Sequence, residues 1–331
     1  MSGAVLVTGG TGFIGRRVVE RLLAGDAEVR SFSLPGERAP AAWGSRVQVL
    51  RGDIADAGAV AAAVHGTRTV IHLAALLGAG GYEAHRRVTV EGTRNVLDAA
   101  RAAGARVVVV SSVAVYGEQV RERVCEEELG HGAHLGPYSL AKQEQERLAL
   151  AYAERGLAVT VVRPGNVYGA GSVPWVDVVI AALRAGAPLL VDGGTGNAGL
   201  VHAANLADAL LLVAAHPAAV ARVYNVCDGL AVSWHRYFGD IAAMIGMELP
   251  PSARFAELHA AARTDEQPER FVLPAEYRHI PLATLALIGA DNRYPTERIR
   301  ALGWSPRLGY PEALAEIAAS IARGRSTDVP E

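Results

Sequence analysis

Short β-branched runs alternate with helical stretches along the first half of the chain. Val5–Thr8, Val29–Ser33, Val47–Leu50, Thr69–Leu73, Arg106–Ser111 and Ala158–Arg163 read as strands. Gly12–Ala24, Ala57–Val64, Ala84–Ala103 and Ser139–Glu154 read as the helices between them. Runs such as Val107–Val110 lack the in–out alternation of a half-solvated strand, as expected of strands buried on both faces. Strands separated by helices of this length imply right-handed crossovers and an α/β fold with a doubly wound parallel sheet. After Tyr168 the pattern loosens into glycine-rich and mixed segments, which predicts a smaller, irregular C-terminal lobe that binds substrate. A helix near Asn205–Ala215 and a strand near Arg222–Val226 are expected to return to the main sheet. The division that follows is residues 1–168 plus about 200–230 for the nucleotide domain, and about 169–199 plus 231–322 for the lobe.

Composition narrows the classes. The 331 residues are 50% hydrophobic and 20% charged, enough apolar material for a large core. A net charge of −2 gives no electrostatic footing for nucleic acid or an anionic membrane, so the expected partner is a small molecule. The apolar stretch Leu210–Ala215 is too short to cross a bilayer, and no secretory leader is visible at the start. The only two cysteines, Cys125 and Cys227, lie far apart, which argues for a reducing cytoplasm and against a disulfide scaffold. No histidine spacing suggests a metal site. Among 32 basic residues one is a lysine, Lys142. Where arginine has taken every other basic position, a lone lysine raises the question of what arginine could not do there.

The first strand runs into Gly9-Gly10-Thr11-Gly12-Phe13-Ile14-Gly15 and then a helix. Glycines at 9, 12 and 15 allow a tight turn, close approach to a pyrophosphate and close helix–strand packing. The N–H groups at Phe13, Ile14 and their neighbours face the phosphates with the positive end of the helix dipole. This is the dinucleotide-binding arrangement of a Rossmann domain. The second strand ends in Ser33 without the carboxylate that selects NAD. Ser33 and Arg38 could instead receive a 2′-phosphate, so the cofactor is NAD or NADP with a slight lean to NADP.

Tyr138 and Lys142 stand one helical turn apart, on one face. A phenol titrates near pH 10, too high for proton exchange at neutrality, and a neighbouring ammonium favours the phenolate. Lysine suits the place because its compact ammonium can also hydrogen-bond a ribose. Upstream, a strand ends at Ser111-Ser112, where carboxyl ends face the ligand crevice. The Ser112 hydroxyl there can hydrogen-bond the substrate oxygen that Tyr138 protonates.

These pieces together resemble the extended short-chain dehydrogenase/reductase family, the NAD-dependent epimerase/dehydratase superfamily. The resemblance spans TGGTGFIG (Thr8–Gly15), Gly52-Asp53-Ile54, His72-Leu73-Ala74-Ala75, SSVAVYG (Ser111–Gly117), YSLAK (Tyr138–Lys142), RPGNVYG (Arg163–Gly169) and LGWSP (Leu302–Pro306). It implies a Ser112–Tyr138–Lys142 catalytic triad, adenine contacts from Asp53 and Ile54, and cofactor contacts from Leu73, Ala74 and Ala75. It also implies that Pro164 to Val167 lie against the nicotinamide, with Asn166 near the substrate, and that the chain forms a homodimer through the helices at Thr89–Ala103 and Ser139–Glu154. Members acting on nucleotide sugars carry an arginine where this chain has Ala198, and a second one near Leu285–Asp291 that is missing here. Arg278 and Arg293 are the remaining substitutes. The resemblance therefore leads first to an NAD(P)-dependent ketoreductase or alcohol dehydrogenase acting on a largely apolar substrate, as in the sterol-dehydrogenase-like members. A nucleotide-sugar epimerase or dehydratase with tightly bound NAD is the alternative.

Overall fold

The computed structural model describes residues 3–78, 80–187, 189–263, 270–271 and 280–325. Strand β1 (Ala4–Thr8) lies near the middle of a seven-stranded, fully parallel sheet. Its other members are β2 (Val29–Ser33), β3 (Val47–Arg51), β4 (Thr67–His72), β5 (Arg106–Val110), β6 (Val159–Pro164) and β9 (Val223–Val226), in the order β3-β2-β1-β4-β5-β6-β9. Strands β7 (Asn166–Tyr168) and β8 (Leu200–His202) form a separate parallel pair. The order reverses between β1 and β4, so the ligand crevice opens at the carboxyl ends of those two strands.

Residues of β5 explain the missing alternation in the sequence. Val108 and Val110 enter a core with Val18, Val19, Leu206 and Leu210 on one face, while Val107 and Val109 enter another with Val96, Leu97 and Ala149. Helices α1 (Phe13–Leu22) and α7 (Ala203–Ala215) cover the first face. Helices α2 (Ala57–Val64), α4 (Gly92–Ala103) and α5 (Pro137–Glu154) cover the second. Both late elements, α7 and β9, return to this sheet.

The helix expected over Ala84–Ala103 is broken into a turn, α3 (Tyr82–His85), a widened π-helical segment at Arg86–Glu91, and α4. The widened segment brings the Thr89 hydroxyl to Leu76 N, which donates to it at 3.3 Å. Gly92 lies where a Cβ would come within 2.8 Å of Ile54, so α4 packs directly against that side chain. The described segments after Tyr168 are more ordered than their sequence suggests. Helix α6 (Val178–Arg184) and α8 (Trp234–Ile245) frame a core in which Trp175 and Trp234 stack obliquely at 5.0 Å and Phe238 lies 5.2 Å from Trp234. Aromatic packing between distant segments leaves no periodic trace in the sequence.

Candidate active site

The turn after β1 has the form of a phosphate cradle. Gly9 adopts φ +68°, a left-handed conformation that L side chains resist, and its carbonyl accepts from Gly12 N at 3.0 Å. A Cβ on Gly15 would lie 2.1 Å from Gly9 O, so only glycine lets α1 approach this closely. The first intrahelical bond is Arg16 N to Gly12 O at 2.9 Å, which leaves the N–H groups of Phe13, Ile14 and Gly15 without helical acceptors. No acidic residue occupies the first turn of α1 and no side chain caps it. The residues present fit a dinucleotide pyrophosphate. Leu73 and Ala74 border the same turn, their N–H groups donating to Thr8 Oγ1 at 3.2 Å, and Ala75 follows half-buried.

Other expected cofactor residues fall around this crevice with different degrees of freedom. Asp53 accepts from Ala55 N at 2.9 Å and pairs with Arg87 at 2.8 Å, and these bonds hold its carboxyl below the usual carboxylate range. The Ile54 side chain is buried against Gly92, so its contribution is to the wall behind the crevice. The Ser33 hydroxyl is buried between Ser31 Oγ and Thr11 N, each at 3.4 Å, while Arg38 is exposed. Pro164 closes β6 and Val167 is half-buried in β7. Asn166, expected near the substrate, opens β7. It is 2% exposed and its amide donates to Ala198 O at 2.7 Å, which ties β7 to the second lobe.

The three residues read as catalytic come together. Ser112 follows β5 and caps a 3-10 segment at Val113–Arg121, its Oγ accepting from Ala114 N at 3.1 Å. Gly136, at φ +105°, and Pro137 start α5, placing Tyr138 in its first turn and Lys142 one turn on. The Tyr138 phenol stands near enough to the Ser112 side chain for its pKa to be lowered by it. Lys142 Nζ lies 6.0 Å from the Tyr138 ring centre and donates to Val110 O at 2.8 Å and Gln145 Oε1 at 2.9 Å. The Lys142 amine is buried.

One electrostatic expectation is corrected. Burial raises the Tyr138 phenol above its ordinary value, and the Ser112 side chain offsets this only in part. Burial pulls the amine down to about 7 against the opposing pull of Glu146.

Sequence reasoning missed a hydrogen-bond chain behind these three residues. Gln145 Nε2 donates to Thr93 Oγ1 at 2.8 Å, and Thr93 donates in turn to Thr89 O at 2.6 Å. His72 Nε2 must then donate to Thr93, at 2.8 Å, leaving Nδ1 to accept from Thr8 Oγ1, also at 2.8 Å. Burial, then the Lys142 charge, holds His72 at about 3, so it is neutral. The Lys142 amine is thereby connected to Thr8, at the mouth of the glycine turn. The spacing of Thr89 and Thr93 at i, i+4 beside a strand-end histidine is the trace that could have pointed to it.

His202 serves as the N-cap of α7, accepting from Ala204 N at 3.3 Å. Ala198 is fully buried, Arg293 pairs with Asp291 at 2.9 Å, and Arg278 lies outside the described residues.

The pattern that defines the NAD dependent epimerase/dehydratase family matches residues 5–227. A 2-alkyl-3-oxoalkanoate reductase of Stenotrophomonas maltophilia is 28% identical over 96% of this chain and 99% of its own length. A 3-beta-hydroxysteroid dehydrogenase of Mycolicibacterium neoaurum is 30% identical over 95% of this chain and 90% of its own. Among solved structures, MoeE5 in complex with UDP-glucose and NAD superimposes with a TM-score of 0.74 at 29% identity, covering 98% of this chain and all of that one. DesIV of Streptomyces venezuelae, a dTDP-glucose 4,6-dehydratase with NAD bound, gives 0.76 at 25% identity over 98% of both chains.

Proposed function

The chain belongs to the NAD dependent epimerase/dehydratase family, and on that footing we propose that it is a net oxidoreductase, a ketoreductase or alcohol dehydrogenase of a largely apolar substrate. The observation that carries this reading is that Ser112 and Tyr138 come together beside the buried Lys142 amine at the carboxyl end of β5. The bound dinucleotide would supply or accept a hydride at its nicotinamide ring. The protein's part is the proton. In the reductive direction Ser112 orients the substrate carbonyl, and Tyr138 passes its proton to the carbonyl oxygen. The raised phenol is suited to this because it remains protonated at neutral pH. Lys142 has one donor left for a ribose hydroxyl, and its charge stabilises the phenolate formed as the proton leaves.

That division of labour has a pH consequence. Lys142 titrates at about 7 and must carry its proton to stabilise the phenolate. In the reductive direction, kcat/KM for the reduced cofactor, which reports the free enzyme, is expected to fall as pH rises through about 7. A profile flat from pH 6 to about 9 would remove Lys142 from this role.

The substrate class follows from charges that are committed elsewhere. A nucleotide diphosphate needs charge-assisted donors in a partly buried site. Here Ala198 stands buried where a sugar-nucleotide enzyme would place one, and Arg163 is locked to Glu146. The sterol and alkyl-oxoacid relatives, by their names, act on substrates with large apolar parts. The test is to mix the protein with reduced cofactor and either a 3-ketosteroid or a 2-alkyl-3-oxo acid and follow the near-ultraviolet band of the nicotinamide. Net oxidation is expected. Isomerisation of a UDP- or dTDP-sugar with no net cofactor turnover, together with thermal stabilisation by UDP, would replace this reading with the epimerase one.

A further inference from the structure

Strand β2 ends in a hydroxyl, yet a carboxylate reaches the same place by a detour. After Ser33 the chain folds back at once. Glu37 N donates to Leu34 O at 3.1 Å, closing a four-residue turn with Pro35 in its second position. The reversal carries the Glu37 side chain to Thr11, whose hydroxyl donates to Glu37 Oε2. Thr11 belongs to the glycine turn, and its own N–H faces Ser33 Oγ at 3.4 Å. The two walls of the adenosine subsite, the glycine turn and the end of β2, are therefore joined by a carboxylate from four residues past the strand.

In a dinucleotide fold the adenosine ribose lies between those walls, and an acidic group there accepts from the 2′-hydroxyl. We infer that Glu37 reads the ribose of the cofactor and makes this chain prefer NAD to NADP. The inference rests on the dinucleotide reading above and deepens it. Ser33, the strand-end hydroxyl, is buried and already shared between Ser31 and Thr11. Arg38, the one cation that follows in the loop, is exposed. A 2′-phosphate drawn toward it would bring close to two negative charges up against the Glu37 carboxylate. Thr11 fixes that carboxylate on the turn side, so it cannot swing clear without breaking its bond. Opposed like charges at an exposed subsite correspond to a preference of about tenfold or more.

The test needs no substrate. The full-length protein is titrated with NADH and separately with NADPH, following nicotinamide fluorescence, for the wild type, Glu37→Gln and Arg38→Ala. Wild type is expected to bind NADH about tenfold tighter or better, and Glu37→Gln to bring the two within about threefold, with an unchanged melting temperature. Equal binding of the two by wild type, or a ratio unmoved by Glu37→Gln, overturns the inference and leaves the dinucleotide site standing. Tighter binding of NADPH that is lost in Arg38→Ala overturns it in favour of Arg38. Binding of neither dinucleotide overturns both this inference and the function on which it rests.

Discussion

Replacing Tyr138 by Phe is expected to lower kcat/KM by about 10²–10⁴-fold, the usual contribution of a positioned acid or base. The change removes one oxygen. The ring would keep its edge-on contact with His85, whose centre lies 6.1 Å away, and α5 would keep its Pro137 start. Affinity for NADH should therefore move by no more than a few-fold, and the melting temperature should hold or rise, because a buried phenol is no longer desolvated. The expected signature is a loss confined to turnover. Ser112→Ala should lose less, since Ser112 orients the substrate and does not exchange the proton. A Tyr138→Phe variant that turns over at the wild-type rate would remove Tyr138 from the proton transfer.

The same site shows why some of this was legible in advance and some was not. A valine run such as Val107–Val110 announces a strand covered on both faces, because burial on both sides erases alternation and nothing else about the run is needed. The glycine turn is equally explicit, since the 2.1 Å approach of a Gly15 Cβ to Gly9 O is a local steric demand that only one residue type meets. Tyr138 and Lys142 were readable because helical spacing puts them together. Their titration was not, because burial is a property of the folded assembly, and here desolvation outweighs the ion-pair effect that their spacing suggests. Glu37 was missed for a related reason. Counting along the chain places the end of β2 at Ser33, whereas a Pro-Gly turn moves a later residue back to that point in space. The aromatic core of the second lobe joins Trp175 to Trp234 and Phe238 across segments with no common period, so its order emerges only on packing.

Arg163→Met is expected to be the most destabilising single change at the site. Arg163, the penultimate residue of β6, sets its guanidinium against the Glu146 carboxylate, and the side chains are 4% and 0% exposed. Glu146 also accepts from Ser111 Oγ at 2.9 Å and meets His131 Nε2 at 3.0 Å. Arg163 Nη1 reaches Tyr116 Oη at 2.9 Å, and that hydroxyl continues to Asn225 Oδ1 at 2.8 Å. The pair thus joins β5, β6, β9 and α5 directly behind the triad. Burial alone would raise the Glu146 carboxyl, but the bonds from His131 and Arg163 outweigh it and hold the group at about 2. Its contribution is present above the ordinary glutamate value of about 4.3 and is lost as pH falls from there toward 2. Removing Arg163 strands a buried charge, at a cost of about 3–5 kcal/mol in urea unfolding at pH 7. Glu146→Leu combined with Arg163→Met removes both charges, and should recover most of that loss. It should not restore the pH profile. Glu146 holds the Lys142 amine up against desolvation, so without its charge Lys142 titrates lower and the reductive limb shifts to more acid pH in the double variant. A single variant that costs less than about 1 kcal/mol, or a double variant whose profile matches the wild type, would show that the pair neither holds α5 nor tunes the catalytic amine.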